Sequence, residues 1–448
     1  MPESRLLLSS GVPGLDDLLG GGIGEMSLTV IGGGAGTGKT TLALQLAFAN
    51  ATTRAPALYF CSPAEPADAV REHLQGLKFF DASRLGSDVH LIDLGAHFSE
   101  RDSSRVLDAL AGNVAAYQPE LVVVDLPLSL TPETLRAEIA AFLAARVVTS
   151  VLIADGSQEA LALADTVMWL DRSEPRATRS VQVVKARGNS QMAGVHAMRL
   201  NDDGVRVFPR WPTPWRGRIQ RIGGERLSTG VEGLDQLLSG GALKPGSVLV
   251  DGASGAGKTV LATQFIAECG HQGVPGLVLL LEERPGRFIA RAESLNLELE
   301  RLISGGLVDL LNLRGRDVSG GELLYLVERA ALEIGAQAVV VDSVSGLDLV
   351  VDDVRDWVWR AVDSLCGAGV SVWLNGSGAL HLAGLVDDVV SLQQMDASVR
   401  RMQVVKSSGL QTGVGAVDYA IGAHGIIACG HEEPRPTNGH LVNYRFAG

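Results

Sequence analysis

Short apolar runs alternate with longer apolar-rich stretches along this 448-residue chain. Ser27–Ile31 and Ser247–Asp251 have the length and composition of buried strands. Across a glycine-rich interval each is followed by an apolar-rich helix candidate, Thr40–Phe48 and Thr259–Ala267. Leu121-Val122-Val123-Val124-Asp125 and Ala338-Val339-Val340-Val341-Asp342 are further strand candidates, each closing on an acid. Val147–Ala154 and Thr166–Leu170 then follow in one half of the chain, and Val370–Leu374 and Val389–Leu392 in the other. Strands alternating with helical stretches predict an α/β fold, in which a mostly parallel sheet is flanked by helices.

The pattern occurs twice. Ser10-Gly11-Val12-Pro13-Gly14-Leu15-Asp16-Asp17-Leu18-Leu19 is mirrored by Thr229-Gly230-Val231-Glu232-Gly233-Leu234-Asp235-Gln236-Leu237-Leu238, an offset of 219 (229 − 10). A repeat this long means two copies of one domain, and the length leaves room for two cores of roughly 200 residues each. The boundary is expected in Arg206–Arg226, where Pro209, Pro212 and Pro214 and several arginines precede Gly223-Gly224. This divides the chain into 1–222 and 223–448, with Trp211 and Trp215 expected to pack on a domain.

The glycine-rich intervals carry the chemistry. Gly33-Gly34-Ala35-Gly36-Thr37-Gly38-Lys39-Thr40 and Gly252-Ala253-Ser254-Gly255-Ala256-Gly257-Lys258-Thr259 both fit G-x-x-x-x-G-K-[ST], again 219 apart (258 − 39). In such a P-loop the glycines let backbone N–H groups turn inward around phosphates, the lysine reaches the β- and γ-phosphates, and the hydroxyl ligates Mg²⁺. Thr41 and Val260 complete the two nucleotide segments at the start of helices whose dipoles favour the phosphates. Asp125 and Asp342 supply the acid that completes each metal shell with Thr40 and Thr259. The expected ligands are ATP and Mg²⁺.

Hydrolysis also needs a carboxylate to orient or deprotonate water. The second copy has Leu281-Glu282-Glu283-Arg284-Pro285, read as a strand ending in paired glutamates, and either glutamate can be the one that acts. At the same offset the first copy has Ser62-Pro63-Ala64-Glu65-Pro66. Pro63 and Ala64 replace the pair, and Glu65 comes one position late. Side chains alternate along a strand, so a one-residue slip turns Glu65 away unless a bulge restores it.

Four scattered cysteines, Cys61, Cys269, Cys366 and Cys429, exclude a disulfide framework and a cysteine zinc site. Cys429, His431 and His440 make only a weak metal set. No signal peptide or spanning segment is visible, which predicts a soluble, cytoplasmic protein without membrane contact. A formal charge of −13 offers nothing to nucleic acid unless a local basic groove exists.

The G-[VP]-x-G-L-D lead, P-loop, Glu-Glu segment, V-V-V-D strand and late K-x-R strand, all duplicated, resemble the KaiC family of double-domain RecA-like ATPases, related to RadA. The resemblance runs from about Leu7 to about Ile427. It implies tandem RecA-like P-loop NTPase domains and a two-tiered homo-oligomeric ring, usually a hexamer, with ATP between neighbouring subunits. It also implies that Lys185 and Arg187, and in the second copy Lys406, reach a neighbour's site, while Ser408 stands where the second arginine belongs. Each copy therefore lacks a different part. The first binds and holds ATP, and the second is the main site of slow hydrolysis. The family's clock member phosphorylates an adjacent Ser-Thr pair shortly before an Asp that opens a strand. Aligned on Asp387, those positions are Ala383 and Gly384, which have no hydroxyl, so autokinase activity there is not expected; Ser391 and other sites stay open. The clock member's long C-terminal tail is likewise not expected here. The functional expectation is a nucleotide-state switch acting through an unidentified regulatory protein. The alternatives are a RadA-like DNA-dependent ATPase and a nucleotide-stabilised scaffold. The loop Ser343–Asp356 holds Asp348, Asp352, Asp353 and Asp356 against Arg355, and Leu126–Ile139 holds Glu133 and Glu138 against Arg136. Phosphate neutralisation needs the opposite balance.

Overall fold

The computed structural model describes residues 6–95, 104–125, 133–145, 148–153, 158–173, 178–210, 224–313, 318–395, 399–408 and 415–431. The chain divides into two compact units, Met1–Arg210 and Trp211–Gly448. The expected boundary after residue 222 falls among residues 211–223. These, with Trp211, Trp215 and His440, lie outside the described residues, as do parts of Leu126–Ile139 and Val147–Ala154.

In the first unit the sheet strands are β1 (Leu28–Gly33), β2 (Ala57–Cys61), β3 (Val89–Asp93), β4 (Leu121–Asp125), β5 (Thr149–Ile153), β6 (Thr166–Ser173), β7 (Thr178–Ala186), β8 (Val195–Asn201) and β9 (Gly204–Phe208). Their order is β3-β2-β4-β5-β1-β6-β7-β8-β9. Pairs from β3 to β6 are parallel, and those from β6 to β9 antiparallel. The second unit has β10 (Ser247–Gly252), β11 (Gly276–Leu280), β12 (Val308–Asn312), β13 (Ala338–Asp342), β14 (Ser371–Gly376), β15 (Asp388–Gln394), β16 (Arg400–Ser407), β17 (Ala416–Gly422) and β18 (Gly425–His431). Their order, β12-β11-β13-β14-β10-β15-β16-β17-β18, repeats the first. These are two tandem RecA-like α/β domains.

The parallel strands read as continuous apolar runs because both sheet faces are covered. Leu121, Val122, Val123 and Val124 are all buried, and so are Ala338 to Val341. Apolar clusters line both faces of each sheet. Helices α1 (Lys39–Asn50) and α3 (Lys258–His271) follow the P-loops, while α2 (Ala67–Leu74) and α4 (Pro285–Ser294) follow β2 and β11. Each of the four parallel strands predicted in each copy and both predicted P-loop helices is present, with ends that coincide or shift by at most four residues. Among the described residues, no helix is long and apolar enough to cross a membrane.

Candidate nucleotide sites at the two phosphate loops

Each P-loop runs from the C-terminal end of a central strand into a helix. Gly36 (φ 71) and Gly38 (φ 105), like Gly255 (φ 82) and Gly257 (φ 101), hold left-handed backbone that favours glycine. A Cβ on Gly33 would lie 2.2 Å from the Leu170 carbonyl oxygen, and one on Gly252 2.5 Å from that of Leu392. The loop thus packs against the neighbouring strand with no room for a side chain. Lys39 Nζ donates to the Gly33 and Gly34 carbonyls at 2.6 and 2.7 Å. Lys258 Nζ donates to those of Gly252 and Ala253 at 2.6 and 2.9 Å. Both ammonium groups therefore lie within the loop they serve. Gly34, Ala35, Thr37, Ser254 and Ala256 complete the two loops, and Thr41 and Val260 occupy the first helical turns.

The acid at the end of the second central strand lies beside the P-loop threonine in both units. Thr40 Oγ1 donates to Asp125 Oδ2 at 3.1 Å, and Thr259 hydrogen-bonds Asp342. A hydroxyl and a carboxylate held together form an all-oxygen donor pair that suits Mg²⁺. The supporting partners differ. Tyr59, fully buried on β2, donates its hydroxyl to Asp125 Oδ2 at 2.9 Å. In the second unit Asn375 Nδ2 donates to Asp342 Oδ1 at 3.1 Å, and Trp373 Nε1 holds the Asn375 amide oxygen at 3.1 Å. Burial pushes Asp125 up to about 6, against donation from Tyr59, and burial likewise raises Asp342. Val278 and Ile153 occupy the two exchanged positions in the strand registers, so neither support has a copy.

The glutamate segments correct the reading from sequence. β11 ends at Leu280, so Glu282 and Glu283 lie in the turn beyond it and strand alternation does not govern them. The constant offset also breaks here. Five residues, Ser62–Pro66, join β2 to α2, but only four, Leu281–Arg284, join β11 to α4. Counted from the helix, Glu65 is the counterpart of Glu283 (283 − 65 = 218), and Glu282 has Ala64 or Pro63 in its place. Glu65 N–H donates to the Ser62 carbonyl at 3.2 Å, a turn that leaves Glu65 half-buried, with its charge felt at Asp125.

The structure separates the two glutamates. Glu283 is gripped by both terminal nitrogens of Arg291 on α4, one of them at 3.2 Å. Glu282 is exposed, accepts a hydrogen bond from Ser343 Oγ at 3.0 Å, and its charge acts on Lys258.

The late-strand lysines occupy matching places. Val167 pairs with Lys185 and Val389 with Lys406, each beside a register shift. Arg187 N–H bonds the Asp165 carbonyl at 2.9 Å, and Ser408 N–H that of Asp387 at 3.0 Å, so Ser408 does replace Arg187. Lys185 Nζ donates to the Leu161 and Ala162 carbonyls, both at 3.0 Å. Lys406 Nζ donates to that of Ala383 at 2.9 Å and to that of Val386. Within one chain both lysines thus cap backbone carbonyls of their own domain rather than joining their own P-loop. Sequence reasoning also missed Arg172 and Arg179, a cross-strand pair beside the first P-loop; Arg179 donates to the Gly36 carbonyl at 3.4 Å from two nitrogens. Ala383 and Gly384 lie in the 3₁₀ segment Ala379–Leu385, and Asp387 accepts from Ser247 N–H at 2.9 Å, where Asp165 accepts from Leu28 N–H in the first unit. Among the described residues no group of three His, Cys, Asp or Glu could hold a metal, and the side chains of Cys429 and His431 fall outside that description.

Two P-loops on two repeated sheets, each with a Thr–Asp pair, define a tandem P-loop ATPase of RecA-like fold. The model of the KaiC ATPase family matches residues 8–211 and again 227–433. The chain belongs to the KaiC ATPase family. It is 25% identical over 459 residues to the circadian clock oscillator protein KaiC of Acaryochloris marina, covering 92% of this chain and 87% of that one. Similarity to the KaiC 1 protein of Synechocystis is 24% with the same coverage. To the KaiC of Prochlorococcus marinus strain MIT 9313 it is 25%, covering 76% of this chain and 73% of that one.

Proposed function

We propose that the second domain, residues 223–448, is the main hydrolytic unit of a slow, ring-forming ATPase, and that the first, residues 1–222, binds ATP and holds it. The observation that carries this reading is the exposed carboxylate of Glu282, held by Ser343 and without an arginine partner among the described residues, which has no carboxylate counterpart in the first domain. In the second domain Lys258 and the loop N–H groups would bind the phosphates, and Thr259 and Asp342 would hold Mg²⁺. Bound there, the ion would offset charge on the transferring phosphoryl group. Glu282 would accept a hydrogen bond from the attacking water, with the Ser343 hydroxyl fixing its orientation. In the first domain Lys39, Thr40 and Asp125 supply the same cradle without that acceptor, and Arg172 and Arg179 add positive charge beside it.

Lys185, Arg187 and Lys406 are assigned to a neighbouring subunit's site, which requires assembly, for which a hexamer is the expected form. Lys406 offers a point charge where Arg187 offers a planar fork, so the second site should be slow. ATP shared between subunits favours the ring by mass action. The nucleotide state of the ring would then be read by a regulatory protein in the cytoplasm. The acidic loop Ser343–Asp356 argues against the DNA-dependent alternative: Asp353 caps the following helix and Arg355 is engaged with the His381 carbonyl. Autophosphorylation at Ala383 or Gly384 is chemically closed. The test is light scattering in saturating Mg-ATP together with steady-state turnover. A ring whose turnover is lost in Glu282→Gln is expected; a strictly monomeric species, or undiminished turnover in that variant, overturns the reading.

A further inference from the structure

Arg291 and Glu283 form a matched pair beside the second site with no match beside the first. Both terminal nitrogens of Arg291 bind the Glu283 carboxylate, its guanidinium lies 5.6 Å from the Phe288 ring centroid, and Asn312 Nδ2 holds the Glu283 backbone carbonyl at 3.2 Å. Both charges are felt at Asp342, Arg291 favouring its ionised form and Glu283 opposing it. Counted from the helix starts, which are 218 apart (285 − 67), the counterparts are Glu65 and His73. His73 Nε2 lies 3.1 Å from Thr41 Oγ1 on the P-loop helix. The Glu65 charge therefore bears on Asp125 with no arginine in the counterpart position.

We propose that Arg291 is a positioning residue of the second nucleotide site: it neutralises Glu283, so that Mg-ATP meets one uncompensated carboxylate fewer at a site where Asp251, Asp342 and Glu282 already act on Lys258, and it keeps Glu283 from competing with Glu282 for water or metal. The physical ground is Coulombic. An uncovered charge several ångströms from a polyanion, at the effective permittivity of about 20 that applies near protein surfaces, weakens binding on the order of tenfold. The pair lies on one helix and its preceding loop, with side chains 30% and 22% exposed, outside both sheets and both P-loops.

The proposal rests on the reading of the second domain as a Mg-ATP site, and its test is a binding measurement separable from turnover. In full-length protein carrying Lys39→Ala, so that the second site reports alone, titration with a fluorescent ATP analogue at fixed Mg²⁺ gives the affinity. Arg291→Ala should weaken it on the order of tenfold. Glu283→Gln with Arg291→Ala should restore it to within about threefold, because the charge needing a partner is gone. Arg291→Lys, the variant to use if the alanine one folds poorly, keeps the charge but loses the fork and should fall between the parent and Arg291→Ala. Parental affinity in Arg291→Ala overturns the proposal. So does a double variant as weak as Arg291→Ala alone, which would put Arg291 on the nucleotide itself. Loss of all binding in the Lys39→Ala parent would instead sink the underlying reading.

Discussion

The two phosphate sites stand on the same sheet order, with the same glycines in left-handed conformation and lysines making the same pair of backbone bonds, yet the carboxylates around them are supported differently. The first site holds Asp125 with a buried phenol from β2, and the second holds Asp342 with an amide from β14. The first has a five-residue link carrying Glu65 alone, and the second a four-residue link carrying Glu282 and an arginine-bound Glu283. The lesson is that duplication preserves the backbone cradle, which sterics enforce, and the Thr–Asp pair beside it, while the side chains supporting that acid and the carboxylates of the following link diverge. A glycine whose Cβ would strike a carbonyl has no substitute. A carboxylate one turn away does.

The largest expected effect breaks the comparison at Glu282. Glu282→Gln should lower steady-state turnover by about 10²–10⁴-fold, the usual contribution of a positioned base. Lys39→Ala should leave most turnover while reducing nucleotide retention and assembly. If the two variants exchange these phenotypes, the first domain is the working one.

A second effect concerns Asp125 and appears as stability against pH. Its carboxyl is raised from 3.8 to about 6 in the folded protein, chiefly by burial. The folded state therefore binds the proton more tightly than the unfolded state. The resulting stability is fully present below about pH 4 and is lost as pH rises through about 6, roughly 3 kcal/mol in all at 1.36 kcal/mol per pKa unit. Without nucleotide, Asp125→Asn should melt higher than the parent at pH 7.5 and converge with it towards pH 4. Mg-ATP protection of the first domain should weaken in the parent as pH falls through 6. Parallel melting curves for the two proteins would remove this account.

Tyr59→Phe should destabilise the first domain by about 1–3 kcal/mol, the cost of leaving a buried carboxylate oxygen short of a donor, and should leave the second unaffected. Thermal melts resolved by domain, with and without the variant, check it. The smallest effect sharpens the comparison by reversal. In a Lys258→Ala background, Ala64→Glu should raise first-site turnover on the order of tenfold. An unchanged rate would place the first site's deficit in the geometry of its longer link instead.

How much of this was legible in the amino-acid order varies with the range of the interaction. The α/β class, the duplication, both P-loops and the acids Asp125 and Asp342 follow from local patterns, because strand burial and phosphate cradling depend on residues close in sequence. Arg187 and its replacement by Ser408 were also readable, and matching backbone bonds to Asp165 and Asp387 place the two in equivalent positions. The relation between Glu65 and the glutamate pair was not. A fixed offset hides a one-residue difference in the link, and only the positions of the helix starts reveal it. Asn375 left a faint signal, a lone amide at the end of an otherwise apolar strand. Tyr59 left none, since a tyrosine in a buried strand reads as core until the sheet order puts it beside Asp125. The division between Glu282 and Glu283 likewise lay beyond the sequence, because two adjacent glutamates are equivalent until a helix brings Arg291 to one and a loop brings Ser343 to the other. Sequence alone determined that this chain carries two nucleotide cradles, for those are built from contiguous backbone. Tertiary structure alone decided which carboxylates beside them are paired, buried or exposed, because charge balance depends on what distant segments place within a few ångströms.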